Sequence, residues 1–259
     1  MNTTPISRRS ALKLGSAFSA PFILPGGLHA LSGSNETIRI GCIGTGRMGR
    51  GDMFSLLDRG LNPTLNARIV AVSDPDLQRA EHAKRDAEQR YADKLPDAPA
   101  TTIDVYADFR ELLARPDIDA VSISTPDFWH AGHGVAAAKA KKDIYIQKPI
   151  TLTIGEGQAL VKAVRENGVI LQTGSQQRSS KNFWQACELV RNGRIGKLQR
   201  VEVWLPPDHG RATVTDVRVP EHFDYDLWMG PSTERPYAEL GVHPQKGYGR
   251  PGWLQRHGY

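Results

Sequence analysis

The sequence predicts an α/β protein built on a doubly wound parallel sheet, and three observations predict it. Apolar runs of strand length alternate with helix-length segments from Thr37 to Thr173. Those runs are too apolar to alternate with polar residues, as strands covered on both faces are. A glycine-rich turn, Gly44–Gly49 (GTGRMG), joins the first strand run directly to the first helical segment.

The elements follow in order. Thr37–Ile43 (TIRIGCI) is the first expected strand and Arg47–Arg59 the first helix. Arg68–Ser73 (RIVAVS) reads as the second strand and ends against Asp74. Asp76–Lys94 is dense in alanine, glutamate, glutamine, lysine and arginine, which favours a long helix with a solvated face. Phe109–Ala114 reads as a short helix, Ala120–Ser124 (AVSIS) as a strand, Val135–Lys141 as a helix and Asp143–Ile146 (DIYI) as a strand. Ile154–Glu166 is helical and stops at Asn167-Gly168, before a strand at Val169–Thr173. After Gly174 the texture changes to a helix at Asn182–Arg191 and an alternating strand at Leu198–Trp204. Beyond Pro206 the chain is rich in proline, glycine and aromatics, with little periodicity.

Residues 1–30 differ in kind. Ser7-Arg8-Arg9-Ser10-Ala11-Leu12-Lys13 precedes an uncharged run to Ala30, which reads as an export signal of the twin-arginine type and implies a periplasmic or other extracytoplasmic location. Past that segment no stretch approaches the roughly 20 apolar residues of a membrane span. The formal charge of +5 falls to +2 once Arg8, Arg9 and Lys13 leave with the signal. No basic stripe with interleaved aromatics remains, which argues against nucleic acid as a partner. The two cysteines, Cys42 and Cys187, have no metal-ligand spacing, and Cys42 is expected as a buried free thiol.

The glycine turn carries the first chemistry. In G-x-G-x-x-G, Gly44 permits the tight turn, Gly46 lets the backbone approach a pyrophosphate, and Gly49 allows helix to pack on strand. With Arg47 and Met48 they open a helix whose first amides face the phosphates. Asp74, 25 residues past Gly49, stands where a carboxylate accepts from ribose hydroxyls and repels a 2′-phosphate. That predicts a Rossmann domain that prefers NAD to NADP. Asp74-Pro75-Asp76 also reads as a helix start. Ser124, Thr125 and Pro126 lie at the carboxyl edge of a strand, where such sheets bind ligands. His130 and His133 follow one helical turn apart; a cofactor contact from His130 is favoured over a metal pair, since no acid cluster accompanies them. Gln147-Lys148-Pro149 ends the next strand, and an amine there can hold or deprotonate a substrate hydroxyl.

Together GTGRMG, the acid after VAVS, STPDFWH, QKP, TGSQQRS and DYDLWMGP resemble the Gfo/Idh/MocA oxidoreductases from about Thr37 to Trp228. The resemblance implies NAD-dependent hydride transfer at a carbinol of a sugar, cyclitol or sugar derivative, with Lys148 as the proton-transferring lysine. It implies that Thr125, Pro126 and His130 form the cofactor-side segment, and that Gln176, Gln177 and Arg178 lie near the nicotinamide and substrate. Two features depart from the family. Gln147 replaces the glutamate of Glu-Lys-Pro, removing a carboxylate beside Lys148. The wide antiparallel sheet of the family is represented by one strand only, so His222, His243 and His257 fall outside the expected histidine motif.

The implied organisation is a signal segment (1–30), an NAD(P)-binding Rossmann domain (36–174) and the start of an incomplete α+β substrate domain (175–259). One strand cannot stand as a sheet. Leu198–Trp204 is therefore expected to expose Val201, Val203 and Trp204 unless it packs on the first domain or on another subunit in a homo-oligomer. The tail after Pro206 is expected to be poorly ordered or oligomer-dependent. Two alternatives to a sugar or cyclitol dehydrogenase accompany this reading: an NAD-dependent glycosidase acting by transient oxidation, and a shortened, non-catalytic dinucleotide-binding protein.

Overall fold

Six parallel strands lie in the order β3-β2-β1-β4-β5-β6 in a computed structural model that describes residues 37–204, 218–238, 241–242 and 247. The signal segment, His243 and His257 lie outside the described residues. The strands are β1 (Ile38–Ile43), β2 (Ala67–Ser73), β3 (Asp104–Tyr106), β4 (Ala120–Ile123), β5 (Asp143–Gln147) and β6 (Leu171–Gly174). Between them run α1 (Arg47–Gly60), α2 (Leu77–Lys94), α3 (Phe109–Leu113), α4 (Asp127–Lys139) and α5 (Ile154–Asn167). The order reverses between β1 and β4, which opens a crevice at their carboxyl ends, as in every sheet of this winding.

Strand periodicity places the two cores. Ile40 and Cys42 turn to one face, where Met53 and Leu57 of α1 and Ala80, Ala83 and Ala87 of α2 pack. Ile43, Val121, Ile123, Ile144 and Ile146 belong to the other face, against Leu112 of α3 and Ala137 and Ala138 of α4. The pairing of β1 with β2 slips by one residue: Ile40 pairs with Ile69, but Gly41 pairs with Ala71. Val70 is thus an extra residue on β2, and the bulge exchanges the faces beyond it. Ile69 joins the first core with its partner Ile40, and after the bulge Val72 rejoins it beside Cys42.

Local chemistry sets the helix ends. Asp76, not Asp74, caps α2, its carboxylate accepting from the amides of Gln78 and Arg79 at 3.1 and 3.3 Å. Thr153 and Glu156 form a capping box at α5, and Gly168 closes that helix at φ 67°.

Three elements differ from the expectation. α4 starts at Asp127 rather than Val135, with Pro126 preceding it and Asp127 in its first turn. The edge strand β3 has no counterpart in the sequence reading, because three residues are too few to show a period. Leu198–Trp204 forms no strand: no strand among the described residues pairs with it, and Val201, Val203 and Trp204 are exposed. Before it, a 3₁₀ turn (Gln176–Ser179) leads into α6 (Lys181–Arg191), on which no residue is buried.

Beyond Pro206, where poor order is expected from the sequence, the described residues carry a packed cluster, and residues 205–217, 239–240, 243–246 and 248–259 lie outside the described ones. Residues 218–238 form a strap across the end of β2. Leu77 N donates to His222 O, Asp224 N donates to Pro75 O, and Asp76 bridges Phe223. A short helix, α7 (Tyr225–Met229), follows. Phe223, Trp228, Met229, Tyr237 and Val242 bury themselves against Phe128 of α4 in a third cluster. The aromatics that read as aperiodic tail are this cluster's content.

Candidate functional site

The crevice at the carboxyl ends of β1 and β4 encloses about 410 Å³ and runs from Asp74 to Lys148. Gly44 lies at φ 86°, and a Cβ on it would fall 2.7 Å from Ser124 O, so both the turn and the approach of β4 require glycine. A Cβ on Gly49 would fall 1.9 Å from Gly44 O, which seats α1 directly on the loop. A Cβ on Gly46 would meet nothing within 4 Å. The space beside the first turn of α1 is thus open, and Gly44, Gly46, Arg47 and Met48 line it. No acid stands in that first turn to oppose the helix dipole toward an anion.

Asp74 is buried and fixes the loop from the next strand. Its Oδ2 accepts from Thr45 N at 2.8 Å and Thr45 Oγ1 at 3.0 Å, while Oδ1 accepts from Asp76 N at 3.0 Å. A carboxylate offers about four acceptor positions, three of which these contacts use, and Asp74 lines the crevice. The pyrophosphate space and an acceptor for ribose therefore stand on adjacent strands, and these residues fit a dinucleotide.

On the β4 side, Ser124, Thr125 and Pro126 line the crevice. His130 lines it too, but its polar atoms are engaged: Nδ1 faces Pro149 O and Nε2 faces Thr125 O, the latter at 3.0 Å. It joins the loop after β4 to the loop after β5. His133 diverges from it, with Nδ1 at 3.1 Å from Thr125 Oγ1 and its ring stacked 4.5 Å from Trp129. Burial, with a contribution from His130, pushes His133 down to about 3. Among the described residues no group of three His, Cys, Asp or Glu could hold a metal.

At the end of β5, Gln147 is buried and Lys148 exposed, and both line the crevice. Gln177 lies exposed on the 3₁₀ turn and outside the lining, whereas its neighbour Gln176 reaches inward to Asp52 at 3.4 Å. With three residues per turn, neighbouring side chains diverge by roughly 120°, so the two point different ways, and neither lines the crevice.

Several residues that shape the site escaped the sequence reading. Asp52 accepts from Ser124 Oγ and from Gln147 Nε2, each at 2.8 Å. Its signal was its place one helical turn past Gly49, on the face that meets β4. Trp129 donates its indole N–H to the carbonyls of Leu227 and Trp228 at 3.1 and 3.0 Å, which brings the strap to the crevice wall. No local pattern announces that contact across about 100 residues.

A doubly wound parallel sheet with a glycine cradle, an acid ending β2 and a lysine at the edge of β5 defines the dinucleotide-binding oxidoreductases as a class. The profile described as oxidoreductase family, NAD-binding Rossmann fold matches residues 38–175. The chain belongs to this Gfo/Idh/MocA family, and its sheet is an NAD-binding Rossmann domain. It is 32% identical over 162 residues to myo-inositol 2-dehydrogenase of Thermotoga maritima, covering 62% of this chain and 42% of that protein. It is also 32% identical over 160 residues to scyllo-inositol 2-dehydrogenase (NAD(+)) of Bacillus subtilis, with the same coverage. The crystal structure of scyllo-inositol dehydrogenase from Lactobacillus casei with bound NAD(H) and scyllo-inositol superposes with a TM-score of 0.51 at 25% identity, covering 62% of this chain and 43% of that one. The matched part thus spans less than half the length of these relatives.

Proposed function

We propose that this protein oxidises a carbinol of a sugar, cyclitol or sugar derivative with NAD. The observation that carries the reading is the continuity of the crevice, whose lining joins the cradle at Gly46 and Asp74 to Lys148 at the edge of β5. Bound NAD supplies the hydride acceptor. Lys148 takes the hydroxyl proton as the carbinol C–H leaves as hydride and the carbonyl forms, and it returns the proton in the reverse direction. Asp74 favours NAD over NADP, because a 2′-phosphate would face its buried carboxylate. Relatives that are inositol dehydrogenases support a cyclitol as first substrate to try.

Purified protein assayed by NADH formation against a panel of cyclitols and sugars tests the reading. At least one polyol should be oxidised, and Lys148→Ala should abolish that turnover while NAD⁺ affinity stays within about threefold, as expected for a group acting on the transferred proton. Turnover that survives the substitution removes Lys148 from the proton transfer. The same proposal has the protein exported on the strength of SRRSALK. Replacing Arg8 and Arg9 together by lysine should hold the precursor in the cytoplasm, and export that continues would reject the twin-arginine route.

A further inference from the structure

Asp52 is a buried carboxylate whose hydrogen-bond donors among the described residues, Ser124, Gln147 and Gln176, are all neutral. It sits on α1 one turn past Gly49 and is 9% exposed. Oδ2 accepts from Ser124 Oγ and Gln147 Nε2 at 2.8 Å each, and Oδ1 accepts from Gln176 Nε2 at 3.4 Å. Those three residues follow or end β4, β5 and β6. One carboxylate therefore ties together the carboxyl ends of the whole sheet half that lies across the crevice from Asp74. In a doubly wound sheet each half takes one nucleoside, and the acid on β2 marks the adenosine half. The half tied by Asp52 takes the nicotinamide.

A buried negative charge held only by neutral donors is costly unless a positive charge comes near. Ser124 and Gln147, its two shortest contacts, themselves line the crevice. Burial raises the Cys42 thiol to about 12 and also raises the Tyr145 phenol, and in both the charge of Asp52 adds to the shift. Its field is thus felt from β1 to β5. The nicotinamide ring is cationic when oxidised and neutral when reduced. We propose that Asp52 supplies the negative charge of the nicotinamide half and makes the site favour oxidised over reduced NAD. The carboxylate missing at Gln147 has its substitute on α1, one hydrogen bond away. Asp52 acts as a positioning residue through Gln147 and Ser124, and this role rests on the NAD reading above.

Calorimetric titration with NAD⁺ and with NADH tests it on the wild type, on Asp52→Asn, and on Asp52→Asn combined with Gln147→Glu. Asparagine keeps the size and most of the hydrogen bonding, so the first variant removes mainly the charge. Its Kd for NAD⁺ should rise about tenfold and its Kd for NADH change less than about twofold, the size of one lost charge contact at a part-buried site. The double variant returns a carboxylate across the same hydrogen bond and should recover most of the NAD⁺ affinity. Equal losses for both forms in Asp52→Asn, no loss for either, or no recovery in the double variant would overturn the proposal. The readout needs no turnover. A protein that shows the predicted ratio yet oxidises no polyol supports the role of Asp52 and sinks the proposed reaction. One that binds neither form of NAD overturns both.

Discussion

Two segments beyond the sheet, α6 and the strap that carries α7, behave in opposite ways. α6 is the better helix by sequence: Phe183, Trp184, Cys187 and Val190 recur at helical spacing over 11 residues. Yet none of its residues is buried, and Trp184 is 61% exposed. α7 has five residues, too short to persist alone. Nevertheless Trp228 is buried, with ring centroids 5.7 Å from Phe128 and 5.9 Å from Tyr225. The difference lies in partners. The last carbonyls of a helix have no acceptor role within it, and Trp129 donates to two of them in α7. A Cβ on Gly230 would fall 2.1 Å from the Trp129 ring, so the strap seats against the indole itself. Amphipathic spacing specifies a helix; a matched surface decides whether it packs.

The largest expected break of that contrast is Trp228→Ala. Truncating a buried aromatic costs about 3–5 kcal/mol, here charged to strap docking rather than to the sheet. Amide exchange across residues 223–229 should accelerate by roughly a hundredfold or more, while β1 and β4 keep their protection. Affinity for NAD⁺ should fall as well, since Leu227 and Trp228 line the crevice. Protection that stays intact in the strap would mean that Trp228 does not anchor it.

The same contrast explains what the sequence could and could not reveal. β1, α1, β2 and α2 were legible because each carries its own period and its own punctuation. The cradle was legible for the same reason: Gly44, Gly46 and Gly49 act through backbone geometry within six residues. The early start of α4 was hidden because Gly132 and Gly134 lower helix propensity. Gly134 is nonetheless required, since a Cβ there would fall 2.8 Å from a Leu160 methyl of α5. Asp52 and the strap were hidden because their meaning is made by residues 72 to 124 positions away in the first case and about 100 in the second. The apparent strand at Leu198–Trp204 shows the converse error, a period with no partner to realise it.

An acid titration sharpens the comparison next. His133 stacks on Trp129 behind the strap, and burial holds it at about 3 against an ordinary 6.5. Between those values the unfolded chain binds a proton that the folded protein refuses, so stability falls as pH falls through this window. From pH 6.5 to 5 the loss from His133 alone should reach up to about 2 kcal/mol. Urea unfolding followed at both pH values, on the wild type and on His133→Gln, isolates it. A wild-type and variant difference independent of pH would show that His133 is not held neutral.

The smallest expected effect falls on α6. Trp184→Ala should change the unfolding free energy obtained from urea titration by no more than about 0.5 kcal/mol, as for a surface change away from any packed feature. Helix propensity acts in favour of alanine and offsets part of any lost contact. Of the five tryptophans, Trp184 should also be more readily quenched by acrylamide than Trp228, each read in a variant whose other four tryptophans are replaced by phenylalanine. A loss near that of Trp228→Ala would mean that α6 has found a surface in solution, such as a second copy of the chain. That result would remove the contrast between a helix with a pattern and a helix with a partner.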